Sequence, residues 1–358
     1  MKITFILPVV LDKPVGGFKV VYEYASRLSG RGHDVSVVHR RNPGERQRKR
    51  KLRETLLPWT KKYFPAPPVA PWFPMPPEVA LSVAAEVTNQ TVPDADAVIA
   101  TAWKTAAWVS RLSAAKGKKY YLIQHDEVSF GSPDEVNATW RMPLQKIVIA
   151  KWLKDKAERL GEKAVHIPNG MDFAAFGADV PLDDRPARIG MLYHSFFDWK
   201  GSADGVEALE IVKAAFPGLD AALFGTEPRP ALLPDWMEYT QLPSAEALKA
   251  LYNACAIFVQ SSWVEGWGLT ATEAMACGCA LVTTDNGGSR DYAVHEKTAL
   301  VAPPKQPALL AAQIERLLAD DALRRALAEA GCLHVQQYSW TAAVDNLECL
   351  LTAHWRTH

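Results

Sequence analysis

Short apolar runs alternate with amphipathic stretches of helical spacing along the whole chain. That alternation is the pattern of βαβ units and parallel sheets, whose strands are covered on both faces by helices. In the first half it predicts strands at Ile3–Pro8, Asp34–His39, Ala97–Ala100, Tyr120–Gln124 and Lys146–Ala150, with a helix over Lys19–Gly30. In the second half the predicted strands are Arg188–Leu192, Ala221–Phe224, Ala256–Ser261, Ala280–Thr284 and Thr298–Val301. Helices are predicted between and after them, at Asp204–Ala215, Ser244–Asn253, Thr270–Ala276 and Gln306–Ala319. The halves join at Phe176–Arg188, FGADVPLDDRPAR, whose glycine, prolines and charges suit a linker. A last helix, Thr341–His354, follows Tyr338-Ser339-Trp340, and such a tail can return to the first half.

A length of 358 residues suits two domains better than one. Forty Lys plus Arg balance forty Asp plus Glu, so no global field draws the chain to nucleic acid or membrane. The five cysteines have no histidine pair at zinc-like spacing near them and read as buried small hydrophobes in a reducing compartment. The first apolar run is broken by Pro8 and suits a buried strand better than a signal peptide. No run reaches the length of a membrane span. The expected location is cytoplasmic, or peripheral at the inner membrane face.

One region breaks the alternation. Arg40, Arg41, Arg46, Arg48, Lys49, Arg50, Lys51 and Arg53 precede a proline-dense stretch, Pro58–Pro77, carrying Trp59, Tyr63, Phe64, Trp72 and Phe73. Proline at this density prevents a regular helix or central strand. Residues 40–77 are either a solvated loop or a basic, aromatic surface for an anionic headgroup or phosphate-bearing acceptor.

The stretch with most chemistry is Ala256–Gly288, which reads strand, loop, helix, strand. Gly266 and Gly268 remove side chains where a ligand approaches the backbone, and Thr270 is a good N-cap type for the helix behind them. A helix N-terminus presents unpaired N–H groups and partial positive charge, which suit a diphosphate. Glu265 stands at the lip of the loop and Glu273 one turn inside the helix. Carboxylates are poor phosphate ligands but good partners for hydroxyls, so Glu265 is expected on the transferred sugar and Glu273 on a ribose. Lys200, before Gly201 in a strand-end loop, is placed to meet a diphosphate as a point charge, or is a plain surface lysine. His125 ends a strand, where α/β folds hold ligands; it bonds a donor sugar, orients an acceptor hydroxyl or is a satisfied structural group. Gly16 and Gly17 are either a close-approach loop or a turn.

The segment from Glu265 through Glu273 to Gly278 resembles the E-x7-E signature of family 4 retaining glycosyltransferases, the group 1 glycosyltransferases. Other segments agree in order: Gly16-Gly17, Arg31-Gly32-His33-Asp34-Val35, Ile167-Pro168-Asn169-Gly170-Met171-Asp172, Trp199-Lys200-Gly201, Gly287-Gly288 and Tyr338-Ser339-Trp340. The resemblance implies the α/β GT-B fold: two facing Rossmann-like domains with parallel sheets and a C-terminal helix crossing back to the first. The expected spans are 1–176 on the acceptor side, 177–338 on the donor side and 339–358 for that helix. It implies a metal-independent hexosyl or deoxyhexosyl transfer from a UDP-, GDP- or dTDP-sugar, with retention, onto a glycan, lipid-linked or small-molecule acceptor. Polysaccharide biosynthesis is the expected setting. The catalytic residues so implied are Glu265, His125 and Lys200. The donor-binding ones are Gly16, Gly17, Ser195, Gly266, Trp267, Gly268, Leu269, Thr270, Glu273 and Arg290.

The family usually places an arginine about five residues before the phosphate-binding lysine, whereas this chain reads Tyr193-His194-Ser195-Phe196-Phe197-Asp198. His194 or Arg290 substitutes, or backbone donors meet the charge alone. No G-x-G-x-x-G follows the first strand and no Walker A lysine motif occurs, so dehydrogenase and ATPase readings lack support. Asp94 and Asp96 precede a strand, which is no place for a metal pair on a diphosphate. The competing readings are a GT-B epimerase or phosphorylase and a nucleotide-sugar-binding protein without catalysis.

Overall fold

The computed structural model describes residues 1–42 and 69–353. The basic run Arg46–Arg53 and the aromatics Trp59, Tyr63 and Phe64 therefore lie outside the described residues. The chain divides into two compact units. The first takes residues 1–148, 154–166 and the chain from Asn346 onward; the second takes 149–153 and 167–345.

The first unit carries a seven-stranded sheet in which every neighbouring pair runs parallel. Its strands are β1 (Lys2–Leu7), β2 (Asp34–Arg40), β3 (Ala80–Ala84), β4 (Ala97–Ala100), β5 (Lys118–Ile123), β6 (Gln145–Val148) and β7 (Ala164–His166), in the order β3-β2-β1-β4-β5-β6-β7. The order reverses between β1 and β4, and the loop leaving β1 enters α1 (Gly16–Gly30). Helices α2 (Trp103–Ser110), α3 (Pro133–Trp140) and α4 (Lys151–Arg159) follow β4, β5 and β6. The central strands β1 and β4 are buried over Ile3–Leu7 and Ala97–Ala100 and apolar there except for Thr4, as a sheet covered by helices requires.

One expectation changes here. Trp72 and Phe73 do not form an open aromatic surface: both rings pack on the buried Tyr22, with centroids 5.4 and 5.3 Å away, and Trp72 Nε1 donates to the Leu11 carbonyl. Tyr22 Oη in turn meets His39 Nε2 at 2.8 Å, fully inside the unit.

The second unit holds a six-stranded parallel sheet of β8 (Arg188–Leu192), β9 (Asp220–Gly225), β10 (Met237–Gln241), β11 (Ile257–Gln260), β12 (Ala280–Thr284) and β13 (Leu300–Ala302), ordered β10-β9-β8-β11-β12-β13. Its helices are α5 (Ser202–Ala215), α6 (Ala245–Asn253), α7 (Leu269–Ala276), α8 (Pro307–Ala319), α9 (Asp321–Val335) and the start of α10 (Trp340–Thr352). Ile189, Met191, Leu223, Ile257, Val259 and Val282 from the strands meet Val212, Leu310 and Ile314 from the helices in one buried core. The stretch expected to act as a linker is tightly held. Arg185, 7% exposed, donates to the carbonyls of Val180, Cys255 and Cys277 and so pins it to the foot of the sheet.

The cysteine expectation is corrected in part. Cys255, Cys277 and Cys279 are buried, but Cys332 is half-buried and Cys349 is exposed on α10. Residues of α10 from Asn346 onward belong to the first unit, where Glu348 pairs with Arg31 at 2.6 Å and His33 at 2.9 Å.

Candidate active site

In the second unit the strand order reverses between β8 and β11, and open α/β sheets bind ligands beyond the strand ends at such a reversal. The loops leaving those two strands carry Lys200 and Glu265. The loop after β8 runs from Tyr193 into a short 3-10 turn, Asp198–Lys200, and is stopped by Gly201 at φ 61°. A Cβ on Gly201 would stand 2.0 Å from the Ser261 carbonyl, so the two loops touch backbone to backbone only because this residue is glycine. Trp263 tightens the contact, its amide donating to the Trp199 carbonyl and its indole to Asp204.

That approach joins two residues 65 positions apart. Lys200 Nζ lies 2.7 and 2.9 Å from the two carboxylate oxygens of Glu265, and Ser262 Oγ donates to the same carboxylate at 2.7 Å. The Glu265 side chain is nearly buried, so its charge is compensated by one ammonium and one hydroxyl rather than by water. His194, Lys200, Gln260, Ser262 and Thr270 line one recess at the strand ends. Burial first, and the Lys200 ammonium second, hold the His194 imidazole below the ordinary histidine range, against the pull of Glu265 and Glu227.

Helix α7 opens onto the recess one residue earlier than the sequence suggests. Its N-cap is Gly268 at φ 101°, and Thr270 sits inside the first turn. The amides of Leu269 and Thr270, at the start of that turn, have no acceptor within the helix. The structure also gives glycine at 268 a packing reason. A Cβ there would fall 2.5 Å from Tyr292 Oη and 2.6 Å from the Gln260 amide, so the absent side chain makes room for the protein's own core. Tyr292 Oη then donates to the Trp267 carbonyl at 2.9 Å. The Trp267 ring is buried between Tyr292 and Tyr338, with centroids 5.5 and 5.0 Å away. The Gly266 carbonyl accepts from Trp152 Nε1, and Asn286 fixes the loop by accepting the Glu265 amide at 2.8 Å.

Other expected residues stand apart from the pair. Glu273 is 4% exposed and accepts from Tyr252 Oη at 3.3 Å. Arg290 is exposed and forms two bonds to Asp285, at 2.6 and 2.9 Å. Ser195 is exposed on the loop after β8. Ser262, Gln260 and Asn286 belong to the site although the sequence reading passed over them; Ser261-Ser262 directly after a buried strand was their only signal.

In the first unit Gly16 and Gly17 open α1, and the Gly17 carbonyl accepts from Gln124 Nε2 at 3.0 Å. His125 follows at the tip of β5. Its Nδ1 accepts the Glu127 amide at 3.2 Å, and its ring meets Phe130 edge-on. Glu127, at φ 61°, accepts the Trp103 amide at 2.8 Å, and burial lifts its carboxyl to about 7. Asp126 pairs with Lys156. Among the described residues no cluster of three or more His, Cys, Asp or Glu is arranged to hold a metal ion.

Residues 188–334 match the family of glycosyl transferases group 1. This part of the chain is a group 1 glycosyltransferase domain. The phosphatidyl-myo-inositol mannosyltransferase of Mycolicibacterium smegmatis is 30% identical over 195 residues, which is 51% of this chain and 50% of that protein. The match thus spans about half the length of such curated relatives. Among solved structures, sucrose-phosphate synthase of Thermosynechococcus elongatus superposes with a TM-score of 0.76 at 18% identity, covering all of both chains. The Anabaena protein HepE, solved in complex with UDP-glucose, gives 0.74 at 16% over 99% of this chain and all of its own. The fold is GT-B, two Rossmann-like domains with parallel sheets, as the sequence led us to expect.

Proposed function

We propose that this protein is a retaining, metal-independent glycosyltransferase. It moves a hexosyl or deoxyhexosyl group from a UDP-, GDP- or dTDP-sugar to a glycan or lipid-linked acceptor in polysaccharide biosynthesis. The observation that carries the reading is the Lys200–Glu265 pair beside the first turn of α7, at the strand-order reversal of a group 1 domain. A cation next to bare helix amides suits a departing diphosphate, and an oriented carboxylate suits sugar hydroxyls. Donor contacts are assigned to Ser195, Gly266–Thr270, Glu273 and Arg290 in the second domain and to Gly16 and Gly17 in the first.

The first step is an exchange of partners. The diphosphate takes Lys200 from Glu265, and Glu265, still held by Ser262, turns its acceptor capacity to the sugar. As the bond from the anomeric carbon to the phosphate oxygen breaks, charge grows on that oxygen. Lys200 and the amides of Leu269 and Thr270 meet it there. The acceptor oxygen bonds to the anomeric carbon from the same face, and its proton passes to the departing phosphate oxygen. His125 is assigned to the donor sugar or acceptor hydroxyl. The name of the mannosyltransferase relative favours a lipid-linked acceptor, and the UDP-glucose complex of the Anabaena neighbour favours a nucleotide-sugar donor. A cytoplasmic location, with peripheral membrane contact through residues 40–77, belongs to the same proposal.

The test is turnover of Glu265→Ala with a donor found by thermal-shift screening, since a ligand that binds only the folded state raises the melting temperature. A loss of about 10²–10³ in kcat is expected, by analogy with other lost transition-state contacts. Wild-type turnover would remove Glu265 from the chemistry.

A further inference from the structure

His194 stands six residues before Lys200, in the stretch where the family resemblance led us to expect an arginine about five residues before it, and it lines the same recess as Lys200 and Thr270. Its alternative as a substitute, Arg290, is committed to Asp285. Three features fix the His194 ring. Its own amide donates to Ser202 Oγ at 2.7 Å. It stacks on Phe197, with centroids 5.0 Å apart and planes 28° apart, and Phe197 stacks on Trp199 at 5.3 Å and 25°. The amide of Phe196 donates to His194 Nδ1 at 3.2 Å.

The last bond settles where the proton sits. A backbone N–H can only donate, so Nδ1 is the acceptor and the neutral ring carries its hydrogen on Nε2. A second proton would put N–H against N–H at Nδ1. The charged groups facing the ring are Lys200 on the turn before α5, Glu265 after β11 and Glu227 after β9. Lys200, which opposes a cation here, has its ammonium bonded to Glu265. His125 has the same turn, its Nδ1 taken by the amide two residues on.

We propose that His194 is a neutral hydrogen-bond donor, its Nε2–H aimed at a phosphate oxygen of the nucleotide diphosphate, so that among the described residues lining this recess Lys200 is the one side-chain cation. The role rests on the donor-binding reading above. It sets a measurable difference from an arginine or imidazolium: binding carries no proton uptake at this position.

The experiment is calorimetric titration of the intact protein with UDP, GDP and dTDP, in buffers of different ionisation heat between about pH 6 and 8. Wild type is compared with His194→Ala and His194→Gln, so that titration of the nucleotide itself cancels. Long-range 15N–1H spectra of the histidine rings report the tautomer. His194→Ala is expected to weaken binding about ten- to a hundredfold, as for a lost bond to a charged partner. His194→Gln, whose amide nitrogen can reach the Nε2 position, should recover most of that with the same proton count as wild type. An Nε2–H tautomer across the range agrees with the role. A proton taken up by wild type but not by His194→Gln overturns it in favour of an imidazolium, and full affinity in His194→Ala overturns it outright. If none of the three nucleotides binds wild type, the donor-binding reading fails first and this role falls with it.

Discussion

Lys200 Nζ bridges both carboxylate oxygens of Glu265, although the two residues belong to loops that follow different strands. The lysine side chain is 19% exposed and the glutamate 9%. Removing one partner strands a nearly buried charge, while removing both does not. Lys200→Met should therefore lower unfolding stability by about 1–3 kcal/mol, the partial exposure reducing the cost of a fully buried pair. The double variant Lys200→Met with Glu265→Gln should regain most of it in denaturant melts. Additive losses would show that the pair is not coupled. Lys200→Ala should also weaken nucleoside diphosphate binding in calorimetry.

Gly268 makes a second, independent prediction. Its φ of 101° and the 2.5 Å approach of Tyr292 Oη leave no room for a methyl group. Gly268→Ala combines backbone strain with overpacking, and about 3 kcal/mol or more of stability should go. A melting temperature equal to wild type would refute the packing account.

The buried pair His39–Tyr22 predicts a pH dependence. His39 donates through Nδ1 to the Ser82 carbonyl and receives the Tyr22 hydroxyl at Nε2, and burial lowers its pKa to about 4. The unfolded chain takes up the proton near 6.5, so the unfolded state binds more protons between about pH 6.5 and 4. Stability from this group is complete above pH 6.5 and falls by about 3 kcal/mol as pH drops through that window. The stability advantage of wild type over His39→Asn should shrink accordingly, and a constant difference would rule the linkage out.

Thiol labelling checks the cysteine environments. Burial pushes Cys255 and Cys277 up to about 12 and raises Cys279 well above the ordinary thiol range, whereas Cys349 is exposed. Ellman's reagent should find one fast thiol, lost in Cys349→Ser, a slower Cys332, and the other three only after unfolding.

Most of both sheets was legible because their central strands carry apolar runs such as Ala97–Ala100 and Ala280–Val282. The strands that escaped are short or at an edge. Ala80–Ala84 and Met237–Gln241 each border a sheet and are partly exposed, and Ala164–His166 is three residues long. Helices α2, α3 and α4 are only eight or nine residues each and so offer about two turns to read. The functional loop was visible from its glycines and acids. What the sequence hid was distance: nothing local places Lys200 against Glu265, commits Arg290 to Asp285, or turns Glu273 toward Tyr252. At Gly268 the sequence shows that a side chain is missing but not what fills its place, because a ligand and a tyrosine hydroxyl both demand that absence.

Trp152 has a use that the domain division makes plain. It comes from a five-residue segment of the second unit, 149–153, embedded in sequence that otherwise belongs to the first. Its indole holds the Gly266 carbonyl and its ring lies under Gly287, so the neighbour of Glu265 is anchored from more than a hundred residues upstream. Swapping the family-matched block 188–334 into a related protein would leave this anchor behind. On the proposed function, chimeras that aim to exchange donor preference must carry residues 149–153 along with the block, or rebuild the tryptophan socket in the host.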